Sequence, residues 1–217
     1  MHNKLPFSIF PGVFSSIDAY TKRVVHGCFD EKKKAPEYLK PLGEITNYVS
    51  PPHFSKFQFF HKETNILLTG AADAIFEKSD GTYVIADYKT AKFTDAQDEL
   101  YELYNIQLNS YALIAQEIGR EIGLNLPVSA LALVYLEPVT DSKEGFSQYS
   151  KSNGFDLGFS AHIVNIPIDI SKIINHLRTT RKIFDGSIPN SHPRCNDCLL
   201  LNQVISAIGS ESNLRLA

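Results

Sequence analysis

Two aspartates and one lysine raise the first chemical question. Asp73 lies seven residues before Asp80, and Asp87 lies seven residues after it. Ser79-Asp80-Gly81 is a turn sequence between two strand-like runs, Ile66 to Phe76 and Tyr83 to Tyr88. A hairpin centred on Asp80 sets Asp73 opposite Asp87, and directly opposed residues on antiparallel strands share a face. Lys89, two residues beyond Asp87, shares it too. A slip of one residue would separate the trio. Like charges opposed on a sheet are destabilising, and the flanking residues Ala71, Ala72, Ala74, Ile75, Val84, Ile85 and Ala86 are apolar. Compensation must come from a cation, or one carboxyl must stay protonated. Mg²⁺ or Mn²⁺, with hard oxygen ligands and water in the remaining positions, provides it. Lys89 beside such an ion could orient or deprotonate a water and balance charge on a phosphate, the chemistry of metal-assisted phosphodiester hydrolysis. From spacing alone, a structural ion-pair cluster on a solvated sheet face fits equally well.

The elements that must position these groups can be read from periodicity and punctuation. Ser15-Ser16-Ile17-Asp18 can cap a helix running to about Gly27. A basic, Pro-punctuated stretch spans Glu31 to Pro41, and Pro51-Pro52 marks a loop. Tyr101 to Ile118 carries Leu103, Tyr104, Leu108, Tyr111, Ala115 and Ile118 at helical spacing. Ala130 to Leu136 is a continuous apolar run, which suits a central strand buried on both faces. Asp141 to Gly158 reads as loop and Phe159 to Ile166 as strand. Asp169-Ile170-Ser171 opens a helix with Ile173, Ile174, Leu177, Ile183 and Phe184 as its apolar residues. The fold class expected is α/β, a mixed central sheet flanked by helices. At 217 residues the chain suits one domain, with its core over about residues 60–185 and a Cys-containing tail over 186–217.

The motif set Gly70-Ala71-Ala72-Asp73, then Ile85-Ala86-Asp87-Tyr88-Lys89-Thr90, then Gln107-Leu108-Asn109-Ser110-Tyr111 resembles the PD-(D/E)XK nuclease superfamily. It is most similar to the RecB-like branch, which includes CRISPR-associated RecB-like exonucleases. The resemblance covers about residues 66–116 well and extends weakly to the final cysteines. It implies a restriction-endonuclease-like core and Asp73, Asp87 and the Tyr88 backbone carbonyl as metal ligands. It makes Lys89 the catalytic lysine, and Gln107 and Tyr111 the helix pair contacting the site or the nucleic-acid backbone. That pair agrees with geometry, since i and i+4 share a helix face. The activity implied is Mg²⁺- or Mn²⁺-dependent hydrolysis of DNA, as an exonuclease in repair, recombination or phage- or CRISPR-related processing. A non-catalytic nucleic-acid-binding module retaining the fold, or a hydrolase of small phosphoesters, are the alternatives. Upstream, Glu63, His26, His53 and His61 are candidates for a further metal ligand, and spacing selects none of them.

Hydrophobic residues make up 43% and charged residues 21%, ordinary for a soluble globular protein, and no apolar run is long enough to span a bilayer. The first residues lack the basic-then-apolar pattern of a signal peptide, so a cytoplasmic location is expected. A net charge of −3 excludes a bulk polyanion-coating protein but not a nuclease, whose local basic track cancels against its acidic site. Lys32, Lys33 and Lys34, with Lys22, Arg23 and Lys56, are candidate phosphate contacts. The run is equally readable as a solvated face. Phe54, Phe57, Phe59 and Phe60 could stack on single-stranded bases, with core packing the simpler reading. The acidic residues Asp95, Asp98, Glu99 and Glu102 should face away from a nucleic-acid track. Three cysteines, Cys28, Cys195 and Cys198, do not form a disulfide framework. In some RecB-like nucleases a C-terminal cysteine cluster and one distant upstream cysteine hold a four-iron cluster. Here one C-terminal cysteine is missing, so an iron–sulfur site would be incomplete, and a Cys₃His zinc site would need His192.

Overall fold

The computed structural model describes residues 12–94, 100–124, 127–141, 145–187, 190 and 194–210. Helix α1 spans Gly12–Lys32, and a 3-10 turn covers Glu37–Leu42. Strands β1 (Ile45–Val49), β2 (Gln58–His61), β3 (Ile66–Thr69), β4 (Ala74–Lys78) and β5 (Tyr83–Lys89) follow. Then come α2 (Tyr101–Ile118), β6 (Val128–Pro138), a short hairpin β7–β8 (Ser150–Lys151 and Gly154–Phe155), β9 (Phe159–Ile166), α3 (Ile170–Asp185) and α4 (Asn196–Ser210). Five strands form a mixed sheet in the order β1-β4-β5-β6-β9. The β5–β6 pair is parallel and the others are antiparallel. Parallel neighbours need a long crossover, and α2 lies within this one.

Alternation along β5 splits its side chains between two layers. Tyr83 and Ile85 join Leu131, Leu133, Leu108 and Tyr111 in the core under α2. Val84, Ala86 and Tyr88 join Val25, Phe29, Leu39 and Phe76 in the core under α1. Strand β6 is buried from Leu131 to Leu136, as its uninterrupted apolar run requires. α1 docks through Thr21, Val25 and Phe29, which recur at intervals of four residues.

Several boundaries differ from the sequence expectation. α1 begins at Gly12 and continues past Gly27, and Ser16 donates to the Gly12 carbonyl from inside the helix rather than capping it. The helix ends where Lys33 adopts a left-handed conformation (φ 55°). The Lys33 amide then bonds the Phe29 carbonyl and the Lys34 amide the Cys28 carbonyl, satisfying the last turn. The run Ile66 to Phe76 is two strands in two sheets. β3 pairs with β2 and β4 with β1 and β5, with residues 70–73 bridging them. At the break the Gly70 amide donates to the Phe57 carbonyl, 3.0 Å away. A Cβ at Gly70 would sit 2.5 Å from Tyr111 Cε1, so the α2 ring occupies the space that a side chain would need. In α3 only Ile173 and Leu177 are buried, while Ile183 and Phe184 are exposed. The stretch from Asp141 to Gly158 contains the β7–β8 hairpin, and the cysteine segment leads into α4. Phe57 is core, packed against the Tyr111 ring, whereas Phe54 and Phe60 are exposed. No helix among the described residues is long and apolar enough to cross a membrane.

Gly70→Ala should cost about 1–3 kcal/mol by overpacking. The cost should largely vanish in a Tyr111→Ala background, measured as non-additivity in a urea-unfolding double-mutant cycle. Equal cost in both backgrounds would show that the ring is not what demands glycine.

Candidate active site

The hairpin register places the carboxylates together. Ala74 pairs with Ala86 and Ile75 with Ile85, so Asp73 and Asp87 occupy the next opposed position, where the ladder stops. β4 begins only at Ala74, and the end of β5 is left without a β4 partner over Asp87, Tyr88 and Lys89. This gap opens a notch in the sheet that groups from both layers can reach.

Asp87 lies on the α2 side and is 3% exposed. Gln107 Nε2 donates to Asp87 Oδ1 (3.1 Å) and lies 2.8 Å from the Tyr111 hydroxyl, to which it also donates. Lys89 ion-pairs with Asp87 Oδ2, and among the described residues no other donor reaches that buried oxygen. The Lys89 ammonium also lies over the Tyr104 ring, 4.1 Å from its centre. Asp73 is held from the other side. Its Oδ2 accepts from the Tyr88 amide (3.1 Å) and its Oδ1 from Lys22 Nζ of α1 (2.9 Å). Lys22 also pairs with Asp18, one helical turn earlier, at 3.0 Å. Asp18, Asp73, Tyr88, Lys89 and Tyr104 all line one cavity of about 480 Å³. A larger cavity of about 770 Å³ lies beside it, lined by Tyr20, Val24, Leu136 and Phe159 among others. It is mainly apolar, so the chemistry belongs to the smaller one.

Burial raises the Asp87 pKa, the nearby charge of Asp73 raises it further, and Lys89 only partly offsets them, so it reaches about 6. Burial alone would lower the Lys22 pKa, but its hydrogen bonds and attraction to Asp73 and Asp18 raise it overall, keeping the ammonium charged. Burial also raises the Tyr111 hydroxyl, against the opposing hydrogen bond from Gln107.

These residues fit a divalent cation. Two carboxylates face one another, and among the described residues the buried Asp87 Oδ2 has only the Lys89 ammonium against it. The Tyr88 amide points to the vacant edge of β5, and the carbonyl of a strand residue points to the same edge as its amide. Asp73, Asp87 and the Tyr88 carbonyl could therefore hold the ion.

The expected residues Asp73, Asp87, Lys89, Gln107 and Tyr111 are thus brought together by β4, β5 and α2. Asp18 and Tyr104 also belong to the site, and Lys22, considered only as a phosphate contact, reaches Asp73 itself. The available signal was the i,i+4 spacing of Asp18 and Lys22 on a helix, but no sequence pattern says that this face meets the hairpin. Lys32, Lys33 and Lys34 lie at the far end of α1, and Lys34 pairs with Glu37. Of the upstream candidates, Glu63 is committed to Arg178, His26 stacks on Tyr48, His53 packs at a tilt against Phe54, and His61 bonds Thr64. Glu102 pairs with Lys172, while Asp95, Asp98 and Glu99 lie outside the described residues. Cys195 and Cys198 adjoin each other at the start of α4, with the Cys198 amide donating to Cys195 Sγ. Cys28, on the last turns of α1, does not join them. Among the described residues no group of three His, Cys, Asp or Glu side chains is gathered to hold a metal, and His192 lies outside them.

The family model of the PD-(D/E)XK nuclease superfamily matches residues 19–202. The chain belongs to this superfamily, and its five-stranded mixed sheet with flanking helices is that fold. Membership makes it a nuclease by class, with a nucleic-acid substrate. Among curated proteins there is no match. A crystal structure described as SSO0001 is similar with a TM-score of 0.43 and 14% identity, covering 89% of this chain and 70% of that chain.

The raised Asp87 pKa has a consequence for stability. The folded chain holds this proton more tightly than the unfolded chain, so the folded state is disfavoured progressively as pH rises from about 4 through about 6. In EDTA, Asp87→Asn should therefore gain on the order of 1–3 kcal/mol relative to wild type between pH 4 and pH 7. Urea unfolding at both pH values measures it, and a pH-independent difference would contradict the buried-carboxylate account.

Proposed function

We propose that the chain is a Mg²⁺- or Mn²⁺-dependent deoxyribonuclease, acting as an exonuclease of RecB-like type. The observation that carries this reading is Asp87: it is buried opposite Asp73, and among the described residues its Oδ2 has only the Lys89 ammonium against it. A divalent ion held by Asp73, Asp87 and the Tyr88 carbonyl would supply an activated water and withdraw charge from the scissile phosphate.

The side chains around it have separable roles. Lys89 lies next to the carboxylates and lines the cavity, placed to orient the water and to donate to a phosphate oxygen as charge builds. The Tyr104 ring beneath its ammonium limits where it can point. Gln107 fixes the rotamer of Asp87 through Oδ1, and the Tyr111 hydroxyl accepts from Gln107 and fixes that amide in turn. Tyr111 therefore positions rather than reacts, because its proton is held well into the alkaline range by burial.

DNA would enter through the cavity between the first turns of α1 and Tyr104. Lys32 lies 14 residues further along α1 from Asp18, roughly 20 Å at 1.5 Å per residue, and Lys33 and Lys34 follow it just beyond the helix. They would meet backbone phosphates flanking the cut, not the scissile one. Free-end preference is the part of the reading that rests on the RecB-like motif resemblance.

Asp87→Ala and Lys89→Ala should each abolish detectable cleavage of linear DNA in Mg²⁺ or Mn²⁺ while retaining native circular dichroism. A Lys89→Ala protein as fast as wild type would remove the assignment. End-blocked DNA should resist the wild-type enzyme; equal cleavage of blocked and free-ended substrate would make it an endonuclease. Binding without cleavage across several divalent ions would favour the binding-module alternative.

A further inference from the structure

The four carboxylate oxygens of the site are occupied unequally. Asp73 Oδ2 accepts from a backbone amide and Asp87 Oδ1 from a neutral carboxamide, whereas Asp73 Oδ1 and Asp87 Oδ2 each face an ammonium, from Lys22 and Lys89. Each aspartate of the pair thus faces a lysine, and Lys22 is shared with Asp18, so three carboxylates meet two ammoniums. Adding a divalent cation to this set turns a net charge of −1 into +1 in a partly buried site, and the ion competes with an ammonium for the same carboxylate oxygen. One ammonium must leave or find a new anion.

Lys22 is the one built to do so. Its backbone is fixed, because Thr21 and Val25 bury α1 against the sheet. Its side chain is 31% exposed, against 20% for Lys89, which the Tyr104 ring also covers. Asp18, one turn away, holds the same ammonium at 3.0 Å, so leaving Asp73 does not leave the lysine unpaired. Asp18 also lines the cavity into which the substrate backbone would run.

We propose that Lys22 is an exchangeable internal counter-ion: it neutralises Asp73 in the metal-free protein, and metal loading releases it to take a substrate phosphate oxygen. This rests on the nuclease reading above. It assigns to one side chain two successive anions, the Asp73 carboxylate and then a phosphate. No proton or bond changes hands in the exchange; one ion pair replaces another.

The test is metal binding without DNA. In calorimetric titration with Mn²⁺, Lys22→Met should bind about fivefold tighter or more than wild type, the loss of one competing ion pair. Lys22→Arg, which keeps the competitor, should stay close to wild type. Reductive methylation of the wild-type chain, quantified by peptide mass, should label Lys22 several-fold faster with Mn²⁺ than without. Exposed Lys151 on the remote β7–β8 hairpin should be unaffected. Equal Mn²⁺ affinity in Lys22→Met and wild type overturns the proposal, as does a labelling rate indifferent to Mn²⁺ should the Met variant not fold. Absence of Mn²⁺ binding in both proteins overturns it together with the nuclease reading. Equal affinities alongside loss of cleavage in Asp87→Ala would overturn the counter-ion role alone.

Discussion

Two carboxylates face each other across a gap between β4 and β5, and most of the surrounding architecture is explained by what that requires. Asp87 is buried beside a like charge, and its raised pKa shows that local pairing does not fully offset the cost. The four groups that hold the pair come from three elements: the Tyr88 amide and Lys89 at the end of β5, Gln107 on α2 and Lys22 on α1. No single element could deliver all four. α1 and α2 lie in opposite layers, and they can serve the same two carboxylates only because β4 starts at Ala74 and leaves the sheet open.

A structural ion-pair cluster was the competing explanation of the same residues, and the energetics argue against it. Replacing buried ion pairs with apolar side chains is commonly neutral or stabilising, and the positions around Asp73 and Asp87 are already alanine, valine and isoleucine. A sheet built only for stability would continue that pattern. The arrangement instead retains a like-charge pair, a buried oxygen with only Lys89 against it among the described residues, and a cavity of about 480 Å³ against the charged groups. These features weaken a core and suit a cation with a phosphate.

How much of this was legible in the sequence depended on whether the signal was local. The register about Asp80 followed from the turn residues and the length of the flanking runs, and the observed pairs Ala74–Ala86 and Ile75–Ile85 agree with it. α2 had clear boundaries because its periodicity ran uninterrupted, and β9 lay between a polar stretch and Pro167. β1 and β2 were missed: they are short, of five and four residues, and β1 pairs with β4, some thirty residues further on. The break at Gly70 was invisible for a similar reason. Ile66 to Phe76 has the composition of one strand, and the Tyr111 ring, 41 positions further on, is what demands glycine where the chain changes sheets. Lys22 at Asp73 is the extreme case, a contact across 51 residues that no motif spacing encodes.

That dependence on Tyr111 ties fold to chemistry. The ring fills the space over Gly70, and its hydroxyl accepts from Gln107, which holds Asp87. The side chain that demands glycine at the strand break is therefore also the one that, through Gln107, helps fix the carboxylate beside the break. A glycine before the first aspartate and a glutamine four residues before the tyrosine are then parts of one constraint. The glycine lets the helix approach closely enough for the tyrosine to reach the hairpin, and the glutamine converts that approach into a fixed carboxylate. Substituting the glycine would displace the ring, and through Gln107 would disturb Asp87, even though Gly70 carries no chemical group of its own. The motif residues outside the Asp-x-Lys triplet are accordingly explained by the packing that keeps the triplet in register.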